Sequence, residues 1–185
     1  VQFARSHGRL PNRALLLQDG MIAAVGSSTE LLAAYPDEPR LDAGGKVVLP
    51  GFVDPHTHLI WAGDRANEFE MKMGGMAYLD ILAAGGGIIS TVKATRTASM
   101  ETLIAQTRPR LLRMFSHGTT TAEAKTGYGL QTSTELRLLK ALLALDDESP
   151  VDIVPTFLGA HAIAPEFKDD PQGYVNEVSD TMLPM

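Results

Sequence analysis

Cysteine is absent from the 185 residues. Disulfides and thiolate chemistry are thereby excluded, and the lack fits a reducing cytoplasm. No apolar run approaches the ~18 residues of a membrane span, and no signal peptide is visible. Basic residues are outnumbered: 16 Lys and Arg against 22 Asp and Glu give a net charge of −6. With no basic stripe along the chain, a nucleic-acid phosphate binder is disfavoured. What is present is ordinary for a globular protein, with 44% hydrophobic residues, enough for a sizeable core, and 17 glycines. The length suits one domain, or one domain and part of another.

Residues 1–50 read as small β structure. Ala14–Gln18 and Met21–Val25 flank Asp19-Gly20, a two-residue hairpin signal. Ser27 and Glu30 form a possible capping box for a short helix over Leu31–Ala34, stopped by Pro36. Lys46–Leu49 reads as another short strand.

From Phe52 the pattern changes to strand, loop and helix, repeated. The first strand is expected over Phe52–His58, followed by a long loop, Leu59–Gly75, and a helix over Met76–Ala84 ended by Gly85-Gly86-Gly87. A longer helix is expected over Met100–Ser116, with Ser99 as its cap and Leu103, Leu111 and Phe115 on one apolar face beside Ile104 and Leu112. Pro109 should kink or split it. The second strand is Thr119–Ala124, favoured by its β-branched threonines. Thr132 and Glu135 read as a capping box that opens a helix through Leu145, with Leu136, Leu139 and Leu143 inward. The third strand, Val151–Leu158, is apolar enough for burial on both faces, although Pro155 weakens a regular ladder. Asp170-Pro171 starts a last helix.

Strand–helix repetition implies a parallel sheet. A doubly wound sheet would usually carry a phosphate loop after its first strand, whereas this first strand ends in His56-Thr57-His58. That favours the N-terminal part of a (β/α)8 TIM barrel, α/β in class, preceded by part of a small β-sandwich-like accessory domain. The expected division is 1–50 for the accessory part and 51–185 for the first three strand–helix units of the barrel.

Barrel chemistry gathers at the C-terminal strand ends. His56 and His58, at i and i+2, point to one face of a strand and can share a metal ion. The next ends carry Glu123-Ala124-Lys125, leading to Thr126-Gly127-Tyr128-Gly129, and Gly159-Ala160-His161. Arg65, in the loop after the first strand, suits a carboxylate on a ligand through a two-pronged hydrogen bond. Each residue has a plainer reading. Arg65 could pair with Glu68 on the surface, Tyr128 could pack as a turn residue, and His161 could be a satisfied histidine or a third metal ligand. Lys125 could be a carboxylated metal bridge, but no second histidine pair follows it. Glu123 and Asp54 read as strand-end hydrogen-bonding groups, His7 as solvated, and the methionines around Met71, Met73 and Met76 as packing. Gly85-Gly86-Gly87 follows a helix, so it is no dinucleotide fingerprint.

Pro50-Gly51-Phe52-Val53-Asp54-Pro55-His56-Thr57-His58 resembles the first barrel strand of the amidohydrolase superfamily. Asn67-Glu68-Phe69-Glu70-Met71, Ala83-Ala84-Gly85-Gly86-Gly87-Ile88, Glu123-Ala124-Lys125-Thr126-Gly127-Tyr128-Gly129-Leu130 and Thr156-Phe157-Leu158-Gly159-Ala160-His161-Ala162 resemble, more narrowly, its imidazolonepropionase family. The resemblance runs from about residue 13 to the end. It implies a cytoplasmic enzyme of histidine degradation, homodimeric when complete. The implied reaction hydrolyses a small molecule, 4-imidazolone-5-propanoate, to N-formimidoyl-L-glutamate. It also implies one zinc or iron ion held in part by His56 and His58, with Arg65, Tyr128 and His161 binding substrate and Arg65 suited to the propanoate. A further His, an Asp and a Glu complete the family's site from later strands, and no residue here is assigned to those roles.

A catalytic metal normally has three or more protein ligands, so these residues alone are expected to be inactive. Two readings compete with the hydrolase. One is another cyclic amidase or deaminase of the superfamily, which a neutral substrate would distinguish because it needs no Arg65. The other is a non-catalytic structural or metal-binding piece.

Overall fold

The computed structural model of the chain describes residues 10–185, so His7 lies outside the described residues. These residues fall into two compact units, divided between Leu49 and Pro50. In the first, β1 (Arg13–Gln18) and β2 (Met21–Ser27) pair antiparallel. Asp19 and Gly20 both take positive φ, 51° and 74°. Two left-handed residues in a two-residue turn match the right-handed twist of the strands they join. Ser27 caps α1 (Ser28–Ala34) by accepting the Glu30 N–H at 3.1 Å. The helix therefore begins three residues before the apolar run that announces it. Leu16 is buried, while Leu17, Met21, Ile22 and Val25 are exposed. The strand expected at Lys46–Leu49 does not form: Val47, Val48 and Leu49 are exposed, with no ladder partner among the described residues.

The second unit is built on a parallel sheet in the order β3 (Phe52–Thr57), β4 (Thr119–Lys125), β5 (Asp152–Thr156). Thr121 to Lys125 pair in unbroken register with Asp152 to Thr156. The β3–β4 register shifts twice, the second time between Asp54 and Thr57, next to the histidines. The described residues thus form a mixed α/β structure with two small sheets, and a closed barrel is not visible among them.

Between β3 and β4 run α2 (Ala66–Met73), α3 (Tyr78–Ala83), α4 (Ile88–Thr97) and α5 (Met100–Ser116). Helix α2 occupies what reads as loop, because Phe69, Met71 and Met73 are exposed and give it no apolar stripe. Helix α4 escapes for another reason: its buried face is Thr91, Val92 and Thr95, largely polar. The glycines after α3 act as expected. Gly85, at φ 86°, and Gly86 donate their N–H groups to the carbonyls of Leu82 and Ile81, which ends the helix. Ser99 caps α5 by accepting the Thr102 N–H. Pro109 does not split α5. Pro109 and Ala105, whose carbonyl the proline ring cannot serve, are both exposed, so water can solvate that carbonyl.

Between β4 and β5 lies α6 (Thr132–Asp146). Its buried face is Leu138, Ala141, Leu142 and Leu145, and Leu143 is exposed. Leucines at 136, 138, 139, 142, 143 and 145 lay down overlapping stripes, so spacing alone cannot choose the inward one. The core joins that face to Leu103 and Leu111 of α5 and to Ala122, Ala124, Val151 and Ile153 around the sheet. Phe115 and Leu112, expected to share the α5 face, are exposed. Strand β5 is shorter than its apolar run and is covered on one face only: Ile153 is buried and Val154 exposed. Beyond it come 3-10 turns at Gly159–His161 and Pro165–Phe167, then α7 (Pro171–Asn176), which continues as a π-helical segment, Glu177–Met182. Asp170 caps α7 through the Gly173 N–H.

Candidate functional site

At the end of β3 the chain sets His56 and His58 with ring centres 6.2 Å apart. The Asp54 carboxylate accepts the His56 N–H at 3.3 Å, and the intervening Thr57 hydroxyl donates to the Glu123 carbonyl at 2.5 Å. His56 is exposed and His58 half-buried. Burial holds His58 below the usual imidazole range, helped by the neighbouring His161 and opposed by the backbone of Thr126. Neutral imidazole, the metal-ligating form, is thereby favoured.

The loop after β4 carries Tyr128 to the same place. Thr126 extends the β4–β5 ladder by donating its N–H to the Thr156 carbonyl at 2.9 Å, and its hydroxyl accepts the Leu158 N–H at 2.9 Å. Gly127 then turns at φ 106°, a conformation suited to glycine alone. Tyr128 follows, with its ring centre 5.0 Å from His58. His161, in the turn after β5, lies 4.6 Å from His58 and 5.8 Å from Tyr128. Three ring-bearing residues from three strand ends therefore converge, with His56 beside them.

That turn is anchored from α7. The Tyr174 hydroxyl, buried, donates to the Gly159 carbonyl at 2.6 Å. Burial first, and then Glu135, pushes this phenol up to about 12.

Arg65 stands exposed at the head of α2. Its expected surface partner is engaged elsewhere, since Glu68 accepts the Gly87 N–H at 3.0 Å. Lys125 pairs with Glu123, which also accepts the Thr156 hydroxyl at 2.9 Å. These two partners, Lys125 foremost, hold the Glu123 carboxyl below its usual range.

Known proteins bear on this arrangement. Residues 41–83 match the model of the amidohydrolase family, and residues 14–37 match that of an imidazolonepropionase-like composite domain of bacteria. An imidazolonepropionase of Herpetosiphon aurantiacus is 55% identical over 168 residues, 91% of this chain and 39% of that protein. Those of Halobacterium salinarum, at 53% identity, and Thermoanaerobacter pseudethanolicus, at 51%, each cover 92% of this chain, and 41% and 40% of their own lengths. Over more than nine tenths of its length the chain is similar to part of an imidazolonepropionase. It spans about two fifths of the length of these relatives.

The amidohydrolase family is generally metal-dependent, and the residues at the end of β3 accord with such an ion. His58 Nδ1 is a buried nitrogen with no hydrogen-bond partner, an expensive state for a polar atom unless something satisfies it. Two imidazoles are a suitable but incomplete donor set. Among the described residues, no three His, Asp or Glu side chains come together to hold a metal.

Sequence reasoning missed the residues that build the Tyr128 loop. Glu135 has the spacing of a capping box with Thr132. Instead Gln131 occupies the cap, and the Glu135 carboxylate, buried, turns back to accept the N–H groups of Gly127, Gly129 and Leu130 at 3.0, 2.7 and 2.8 Å. Arg96, on the unexpected α4, donates to the carbonyls of Gly129 at 2.6 Å and Leu130 at 3.3 Å, and pairs with Glu166. A carboxylate five residues beyond a glycine-rich turn is the one signal of this arrangement in the sequence.

Proposed function

We propose that this chain is the metal-binding and part of the substrate-binding portion of an enzyme that hydrolyses 4-imidazolone-5-propanoate to N-formimidoyl-L-glutamate. The observation that carries the reading is the convergence of His58, Tyr128 and His161, with ring centres 4.6 to 5.8 Å apart, beside His56. The names of relatives about half identical to this chain supply the reaction.

In this reading residues 51–185 are the first strand–helix units of a (β/α)8 barrel, and residues 1–50 belong to a small accessory β domain. His56 and His58 hold one zinc or iron ion together with ligands from outside this chain. The chemistry a bound ion supplies is a water acidified toward a pKa of about 7 and a polarised carbonyl. Arg65 takes the propanoate carboxylate in a forked hydrogen bond. Tyr128 and His161 bracket the imidazolone ring and fix its orientation by hydrogen bonds, which turns binding energy into alignment for attack. The leaving ring nitrogen needs a proton, and its donor is assigned to no residue of this chain. The complete protein is a cytoplasmic homodimer.

The test uses the complete protein. It should turn over 4-imidazolone-5-propanoate and lose activity on chelation. Arg65→Met should raise KM about tenfold or more while bound metal stays constant. Absence of turnover sinks the reaction; an unchanged KM sinks the role of Arg65 and favours a neutral cyclic substrate.

A further inference from the structure

The Tyr128 loop is held in a way that a surface turn does not require. Three consecutive-region amides, those of Gly127, Gly129 and Leu130, converge on one carboxylate, with Oε1 of Glu135 taking two and Oε2 the third. Glu135 is 1% exposed. Ordering a buried ionisable group against a glycine-rich turn is costly unless it is fully hydrogen-bonded, and here every donor that meets it is a backbone N–H. The carbonyls of the same stretch are taken separately by Arg96, through Nε to Gly129 and Nη2 to Leu130. Arg96 also pairs with Glu166, five residues past His161. Arg137 in turn donates to the Thr95 and Arg96 carbonyls at 3.3 and 2.9 Å, which fixes the end of α4 that carries Arg96. The loop backbone is closely approached at its glycines. A Cβ on Gly129 would lie 2.8 Å from Glu135 Oε1, and one on Gly127 would lie 2.7 Å from the His161 Cβ.

We propose that Glu135 and Arg96 are positioning residues: one takes the N–H groups of Gly127, Gly129 and Leu130 and the other the carbonyls of Gly129 and Leu130, so that Tyr128 is held against His58 and His161. The assignment of a substrate role to Tyr128 and His161 rests on the reading above; the mechanical claim does not. Neither residue touches the reacting atoms, and both act through the backbone of the loop.

The experiment compares wild type, Glu135→Gln and Arg96→Lys in the complete protein. Glu135→Gln keeps the side chain's size but replaces one acceptor oxygen with an NH2 group, which cannot accept from a loop amide. Arg96→Lys keeps the charge but removes the fork that reaches two carbonyls and Glu166. In both variants the amides of Gly127, Gly129 and Leu130 should exchange with solvent deuterium at least about tenfold faster, while β4 amides keep wild-type rates. KM for 4-imidazolone-5-propanoate should rise about tenfold or more, with bound metal per protein unchanged. A purely structural role would instead lower bound metal and kcat together and speed exchange throughout β4. Should Glu135→Gln fail to fold, Arg96→Lys carries the test alone, because its side chain is partly exposed. Unchanged amide exchange in a folded variant overturns the proposal, whatever the activity. Faster exchange with an unchanged KM overturns the link to substrate. Wild type that exchanges as expected but does not turn over the imidazolone condemns the functional reading and leaves the positioning claim standing.

Discussion

The ends of β3 and β4 lie side by side in one sheet, yet they are built in opposite ways. At β3 the two histidines stand at the end of a strand whose Phe52 and Val53 are exposed, and the His58 Nδ1 is buried without a partner. At β4 the loop from Thr126 to Leu130 is mostly buried, and Glu135 and Arg96 take its amides and carbonyls. One end is a pair of donors with unspent bonding capacity, while the other is a rigid mount whose polar groups are largely satisfied within this chain. Under the proposed function the difference is a division of labour: β3 would supply part of a ligand set and β4 the geometry. Substitutions at the β4 and β5 side should therefore cost stability, and substitutions at β3 should cost binding alone.

The largest effect is expected at Gly127. At φ 106° an L side chain is strained, and its Cβ would approach the Leu158 carbonyl oxygen to 2.8 Å, a backbone atom that cannot swing aside. Gly127→Ala should destabilise the complete protein by about 2–3 kcal/mol in urea unfolding. Wild-type stability would mean that the loop is not the rigid mount described. Tyr174→Phe should come next, at about 1–2 kcal/mol, because it leaves the buried Gly159 carbonyl without its donor. This variant also has a pH signature. The Tyr174 phenol is raised from 10.0 to about 12 in the fold, so the native state binds more protons than the unfolded state between those values. Its contribution is fully present below pH 10 and is lost as pH rises toward 12. The stability gap between wild type and Tyr174→Phe should accordingly narrow over that window. A gap constant with pH would show that the phenol titrates normally.

Local chemistry was legible wherever a short motif has one physical outcome. Asp19-Gly20 gave its hairpin, Ser27 and Ser99 capped their helices, and Asp170-Pro171 opened α7. The parallel sheet order and the convergence of His58, Tyr128 and His161 followed from strand–helix alternation. What failed to show were choices settled by tertiary competition. Glu135 had the spacing of a capping box, but three loop amides offer it more than the one N–H at the head of α6. The buried face of α4 is made by threonines, which apolar periodicity does not register; the Thr95 hydroxyl accepts the Ala62 N–H at 3.1 Å and is satisfied in the core. Lys46–Leu49 has strand-like composition but no neighbour to pair with among the described residues.

The smallest stability effect, and the sharpest test of the comparison, is expected at His56. Its side chain is exposed, and its backbone N–H donates to Asp54, a bond that any residue but proline preserves. His56→Asn should leave unfolding free energy within about 0.5 kcal/mol of wild type. If His56 and His58 are ligands of one ion, the same substitution in the complete protein should lower metal affinity at least about tenfold, measured by competition with a chelator of known affinity. A loss of stability comparable to that of Gly127→Ala would make the β3 end a structural element like the β4 loop. Retention of both stability and metal affinity would remove His56 from the ligand set and leave His58, with its unpartnered nitrogen, as the only ligand this strand supplies.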